Sequence, residues 1–150
     1  MKTRIILLAI ALFFSISLQA QTFNLSTFAG SGVKFDKQLN ATLYQSSVTV
    51  SPQAVIGKFQ IDGIAKSIFI DSTTELNAGV RVGYRFWEEE NKSAWAGPQY
   101  TYSTNNALNV GIVAGYDVDV MRLVLESGYE TKSKSGYVEI GIGAALNLIK

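Results

Sequence analysis

Apolar and polar residues alternate along most of this chain, and no stretch repeats with a convincing helical period. Period two is the mark of a strand with two unlike faces. Residues 74–87 are the clearest case. Leu76, Ala78, Val80, Val82, Tyr84 and Phe86 share one face; Glu75, Asn77, Gly79, Arg81, Gly83 and Arg85 share the other, whose polar or small character only Trp87 breaks. Residues 136–148 repeat the pattern, with Val138, Ile140, Ile142 and Leu146 opposed to Tyr137, Glu139, Gly141 and Gly143. So do residues 106–117 (Val110, Ile112, Ala114 against Asn109, Gly111, Gly115) and residues 121–130 (Leu123, Leu125, Tyr129 against Arg122, Glu126, Gly128, Glu130). Residues 93–103 are more mixed, with Tyr100 and Tyr102 opposite Trp95, Gly97 and Gln99.

Short polar connections separate these segments: Glu88–Lys92, Thr104-Asn105 and Thr131–Ser135, each of hairpin length. The joint near Val118-Asp119 is tight and carries poor turn chemistry. Five hairpin-linked strands thus fill residues 74–149. The first half is less regular. Thr22–Gly30 and Ala41–Val50 read as strands, and Ser51-Pro52 as a turn, since proline cannot donate to a sheet ladder. Gln53–Asp71 holds at least one more strand, with Gly63 a candidate interruption. The expectation is an all-β, antiparallel up-and-down barrel of eight strands, occupying residues 21–150 as one domain.

The N-terminus adds an address. Lys2 and Arg4 precede an apolar run from Ile5 to Ile16, and Ser17-Leu18-Gln19-Ala20 ends it. A basic start, an apolar stretch and a small residue at the end form a secretory signal peptide. A spanning helix needs about 20 apolar residues, more than this run provides. Cleavage after Ala20 would remove two of the 13 basic residues and none of the 12 acidic ones, leaving 11 against 12. A near-neutral balance argues against a nucleic-acid partner, which demands a concentrated basic face. Cysteine and histidine are both absent. Disulfides are therefore ruled out, together with Cys-His and Ser-His nucleophiles and most zinc, copper and haem sites. No cofactor is expected.

Alternation does not say which face is inside, because a membrane barrel inverts the arrangement of a soluble one. Composition of the polar face decides the expectation. Gly79, Gly83, Gly97, Gly111, Gly115, Gly128, Gly141 and Gly143 sit on it. Glycine weakens an exposed strand but leaves room for large neighbours inside a narrow barrel. Its charges are balanced: Arg81, Arg85 and Arg122 with Glu75, Glu126, Glu130 and Glu139. Arginine suits paired, poorly hydrated positions, whereas lysine prefers water, and in residues 74–149 Lys92, Lys132 and Lys134 fall in the turns. These seven charged residues are the expected ion-pair network of a barrel interior. The apolar face carries Tyr84, Tyr102, Tyr116 and Tyr129 near strand ends, as a bilayer with two aromatic interfaces requires.

The segments Val80-Arg81-Val82-Gly83-Tyr84-Arg85-Phe86 and Gly136-Tyr137-Val138-Glu139-Ile140-Gly141-Ile142-Gly143 carry a resemblance. The chain resembles the small eight-stranded outer-membrane barrels of the OmpA transmembrane domain and OmpX type, including those of Bacteroidetes, over residues 21–150. The resemblance implies placement in the outer membrane of a Gram-negative bacterium. Membrane lipid would surround the barrel, and the barrel assembly machinery would be its partner in biogenesis. Family members commonly end in an aromatic residue that this machinery reads; here the last residues are Asn147-Leu148-Ile149-Lys150.

Other chemistry is sparse. Glu88-Glu89-Glu90 offers hard oxygen ligands for a divalent cation, but without further carboxylates at related spacing it reads as a solvated turn. Glu126 and Glu139 read as counter-charges for the arginines rather than as an acid-base pair. Gly141-Ile142-Gly143 lies within a strand with no helix after it, unlike a nucleotide loop. The expected function is therefore non-enzymatic: an integral barrel with a structural role in the envelope and an interior just wide enough for side chains. Two alternatives remain open. One is a soluble exported barrel that binds a small hydrophobic ligand; the other is a surface adhesion role through residues 31–41 and 131–135.

Overall fold

The computed structural model describes residues 22–70 and 73–149, so the expected signal peptide, residues 1–20, lies outside the described residues. Eight strands follow one another: β1 (Thr22–Phe35), β2 (Ala41–Ile56), β3 (Phe59–Ile70), β4 (Thr73–Glu89), β5 (Lys92–Ser103), β6 (Leu108–Val118), β7 (Met121–Glu130) and β8 (Ser135–Ile149). Each pairs antiparallel with its sequence neighbours, and β1 pairs with β8 to close the barrel. Closure leaves no unpaired sheet edge.

One end carries the connections 57–58, 90–91 and 119–120 together with Thr22 and Ile149, where the first and last strands begin and end; this is the turn end. The other, the loop end, carries 36–40, 104–107 and 131–134 and the link from Ile70 to Thr73. The turn-end links are tight because Gly57, Glu90 and Asp119 take positive φ values of 57°, 41° and 53°. Asp119 thus makes the joint near Val118-Asp119 workable, since aspartate tolerates that region more readily than most residues.

The first half departs from expectation in three places. β1 runs on from Gly30 to Phe35, so the first loop begins at Asp36. β2 passes straight through Ser51-Pro52, where a turn was expected. Between β2 and β3 the ladder breaks from Val50↔Ala65 to Gln53↔Asp62 because Pro52 has no N–H to give. The Ser51 hydroxyl donates to the Gly63 carbonyl instead, at 2.8 Å. Gly63 itself pairs with Val80 and does not interrupt β3.

Trp87 explains its own anomaly. The β4–β5 register jumps from Arg85↔Trp95 to Trp87↔Ala94, leaving Phe86 as the extra residue of a β-bulge. The bulge switches parity, and Trp87 turns to the outside, stacked on Tyr116 with centroids 6.0 Å apart.

The faces are inverted relative to a soluble barrel. Ile112, Ile140 and Phe86 are 68%, 64% and 62% exposed, whereas Arg81 is fully buried and Arg122 and Glu139 are each 1% exposed. Inside, large residues sit directly opposite glycines on the next strand: Trp95↔Gly115, Tyr137↔Gly128, Phe28↔Gly143 and Gln60↔Gly83. The missing side chains are the space that the rings fill. A Cβ on Gly115 would meet the Trp95 indole, whereas one on Gly136 would find only the Gly128 carbonyl, at 3.8 Å. Gly115→Val should therefore destabilise the barrel by about 1–3 kcal/mol through overpacking, read as the midpoint of urea unfolding in detergent. Gly136→Ala should stay within about 0.5 kcal/mol of the parent. Equal effects from the two would show that ring and glycine are not matched.

Candidate functional site: the charged interior of the barrel

Parity places one face of every strand inside, but the residues that meet there come from strands far apart in sequence. At mid-barrel, Lys66 of β3 reaches across to β7 and β8, its Nζ 2.7 Å from Glu126 and 2.9 Å from Glu139. Glu126 and Glu139 are directly opposed cross-strand partners. Two like charges so placed repel, and the lysine amine between them removes the repulsion. Arg81 takes the other oxygen of Glu126 at 2.6 Å and lies 3.5 Å from Asp62. Glu139 also accepts from Ser47 at 2.5 Å and from Gln45 at 2.9 Å, and Gln99 ties Glu126 to the Tyr137 hydroxyl.

Toward the turn end, Arg122 grips Asp117 with two parallel bonds, Nε to Oδ1 at 2.7 Å and Nη2 to Oδ2 at 2.8 Å. This two-point geometry is the strongest form of the pairing. The same guanidinium donates to Ser26 and Gln53. Arg81 and Arg122 lie 5.5 Å and 5.4 Å from the Trp95 ring, and Arg81 lies 5.6 Å from Phe28. A small apolar cluster of Phe28, Trp95, Val113 and Val124 is thereby wedged among the charges.

Five of the seven expected residues carry a buried ion pair. Arg81 and Glu126 pair with each other, Arg122 with Asp117, Glu139 with Lys66, and Glu130 with Lys34 at 2.6 Å. Glu75 lies inside but receives the Ser103 hydroxyl, without an ion pair among the described residues. Arg85 sits near the turn end and pairs with the exposed Glu88 at 3.3 Å. The sequence reading missed Lys34, Asp62, Lys66 and Asp117. Lys66 had a usable signal: it shares the parity of Asp62 and Ile64 in a strand whose opposite face is Ile61, Ala65 and Phe69.

The interior is filled. Trp95, Arg81, Arg122, Gln53, Gln60 and Glu139 are among its fully buried side chains. A cavity of about 20 Å³ beside Lys66, Gln99 and Tyr137 is close to the room a single water needs. No group of three or more acidic residues among the described residues is placed to hold a metal ion.

No family model matches the chain, and no curated protein matches its sequence. Among solved structures, Neisserial surface protein A (NspA) superposes with a TM-score of 0.69 at 11% identity, over 86% of this chain and 99% of that one. A structure described as de novo design of transmembrane β-barrels gives 0.52 at 19% identity, over 82% and 95%. The designed protein TMB2.3, solved by solution NMR, gives 0.54 at 14%, over 86% and 97%. The chain has the fold of designed transmembrane barrels. Likeness at these identities is one of backbone path.

Lys66→Met would strand Glu126 and Glu139 face to face. The expected cost is about 3–5 kcal/mol, the range for removing one partner of a buried ion pair, measured by urea unfolding followed on unheated gels. Adding Glu139→Gln to the same chain should recover part of the loss. A neutral Lys66→Met would show that the amine does not bridge the two carboxylates.

Proposed function

We propose that this protein is a non-enzymatic, integral outer-membrane β-barrel with a structural role in the envelope, similar to the OmpA and OmpX type. Residues 1–20 direct its export, outer-membrane lipid surrounds it, and the barrel assembly machinery inserts it. The observation that carries this reading is the inversion of the faces. Leu76, Val80, Ile112, Leu123, Ile140 and Ile142 are all 44–68% exposed, while Arg81, Arg122, Glu126 and Glu139 are at most 2% exposed. In water that arrangement forfeits the burial of apolar area that folding relies on; in lipid it is the favoured one.

Two rings of aromatic side chains support the same reading. Phe59, Tyr84, Phe86, Trp87 and Tyr116 point outward toward the turn end, and Phe69, Tyr100, Tyr102 and Tyr129 toward the loop end. Such belts mark the two membrane interfaces. In this placement the tight turns face the periplasm and the loop end faces outward. With an interior closed by side chains, bulk solute does not pass. The same filling leaves no room for a small hydrophobic ligand inside.

Two measurements test the proposal. The protein should be recovered in the outer-membrane fraction, require detergent for extraction, and run faster on gels before heating than after. Recovery in the soluble periplasmic fraction would refute it. Ile112 lies near the middle of β6, and Ile112→Arg should cost about 2–4 kcal/mol if lipid covers that position. If water covered it, the change would be close to neutral.

A further inference from the structure

The two ends of the barrel carry opposite surface charge. At the loop end the exposed charged side chains, among the described residues, are Lys37, Lys132 and Lys134, with the half-exposed Asp36 beside them. At the turn end Glu88, Glu89, Glu90 and Asp119 outnumber Lys58 and Lys92. The lysines are also not evenly spread. Because β1 pairs with β8, the loops 36–40 and 131–134 are neighbours, and a groove of about 550 Å³ opens between them. Lys37 and Lys134 line it, with Ser133 and Ser135 between them and the Lys34–Glu130 pair below.

The one exposed-side carboxylate in that groove is occupied by its own loop. Asp36 accepts from the backbone N–H groups of Asn40 at 2.9 Å and Gln38 at 2.8 Å. Those bonds, Asn40's first, hold its carboxyl below the ordinary value of 3.8. It organises the loop, and Lys37 and Lys134 are exposed on the two sides of the groove. On the far side of the second loop, Lys132 is committed to the Asn105 carbonyl at 2.6 Å. The groove is thus braced by hydrogen bonds at both walls, flanked by exposed amines, and open.

Its height matters as much as its charge. Tyr129 projects outward two residues before the 131–134 loop begins, at the level of the loop-end aromatic belt. At a rise of about 3.3 Å per residue, the loop lysines stand roughly one headgroup layer beyond the hydrocarbon edge.

We propose that the groove between the first and last loops seats the phosphate of a lipid headgroup, held by Lys37 and Lys134, while the Ser133 and Ser135 hydroxyls bond each other and brace the second wall. This rests on the membrane reading given above. The test uses the protein extracted from membranes in a zwitterionic detergent. Equal amounts of dioleoylphosphatidylglycerol and dioleoylphosphatidylcholine are added, and retained lipid is counted by native mass spectrometry. The parent should retain the anionic lipid in preference. In Lys37→Gln/Lys134→Gln the preference should fall about fivefold for each lysine removed, while Lys58→Gln/Lys92→Gln at the turn end should leave it unchanged. Equal retention of the two lipids by the parent, or an equal drop in both double variants, would overturn the docking site. A protein that stays monomeric without any detergent would instead overturn the membrane reading, so the two failures are distinguishable.

Discussion

Glu126 and Glu139 stand side by side on adjacent strands, and the amine of Lys66 from the other side of the lumen holds them there. This three-charge contact states the constraint on the whole molecule. When the apolar side chains point outward, the polar ones must point inward, and charges withdrawn from water need partners in the right places. Lys66 comes from β3, Arg81 from β4, Glu126 from β7 and Glu139 from β8. The compensation is complete only when the last strand has closed against the first. Neutralising the interior and closing the barrel are therefore a single event, which makes a half-closed barrel unfavourable beyond its loss of backbone hydrogen bonds.

Packing obeys the same geometry. A narrow lumen cannot hold a large side chain from every strand at one level. Here the large inner rings each face a glycine on a neighbour, Trp95 on Gly115, Tyr137 on Gly128 and Phe28 on Gly143. The indole then serves three purposes at once. It fills the gap, donates to Asp117 at 3.2 Å, and presents its face to Arg81 and Arg122. Cations over a desolvated ring gain more than they would in water, so the apolar cluster supports the ion pairs around it.

Much of this was legible in the chain, for a definite reason. Alternation reports the face of each residue, and residues 74–149 keep it through most of their five strands; glycine on the charged face separates a cramped interior from a wetted exterior. What parity cannot report is which inward residues meet across the lumen, because that depends on strand stagger. Lys66 and Glu126 are 60 residues apart in the chain. Lys34 and Lys66 escaped notice because a lysine was expected to seek water, whereas a carboxylate within 3 Å substitutes for it. Pro52 was misleading in another way. A proline in a strand loses one ladder bond, and the neighbouring Ser51 hydroxyl replaces it locally. Trp87 failed parity because a bulge, which leaves no simple mark in composition, inserted Phe86 before it.

An interior so closely filled by its own side chains narrows where activity can reside. Nothing large enters a lumen whose axis is crossed by Arg81, Arg122 and Trp95, and rearranging those groups would expose several charges at once. Contacts with other molecules are then left to the apolar outer wall and the two rims. The wall is built of exposed apolar side chains, which offer little to tell one apolar partner from another. The rims differ from each other in charge, and at the loop end the connections are short and pinned, by Asp36 in the first and by the Lys132–Asn105 bond beside the last. Short, pinned loops are poor at wrapping a protein partner but good at holding a few donors at fixed spacing. For a barrel of this size, selectivity is most economically placed at that rim.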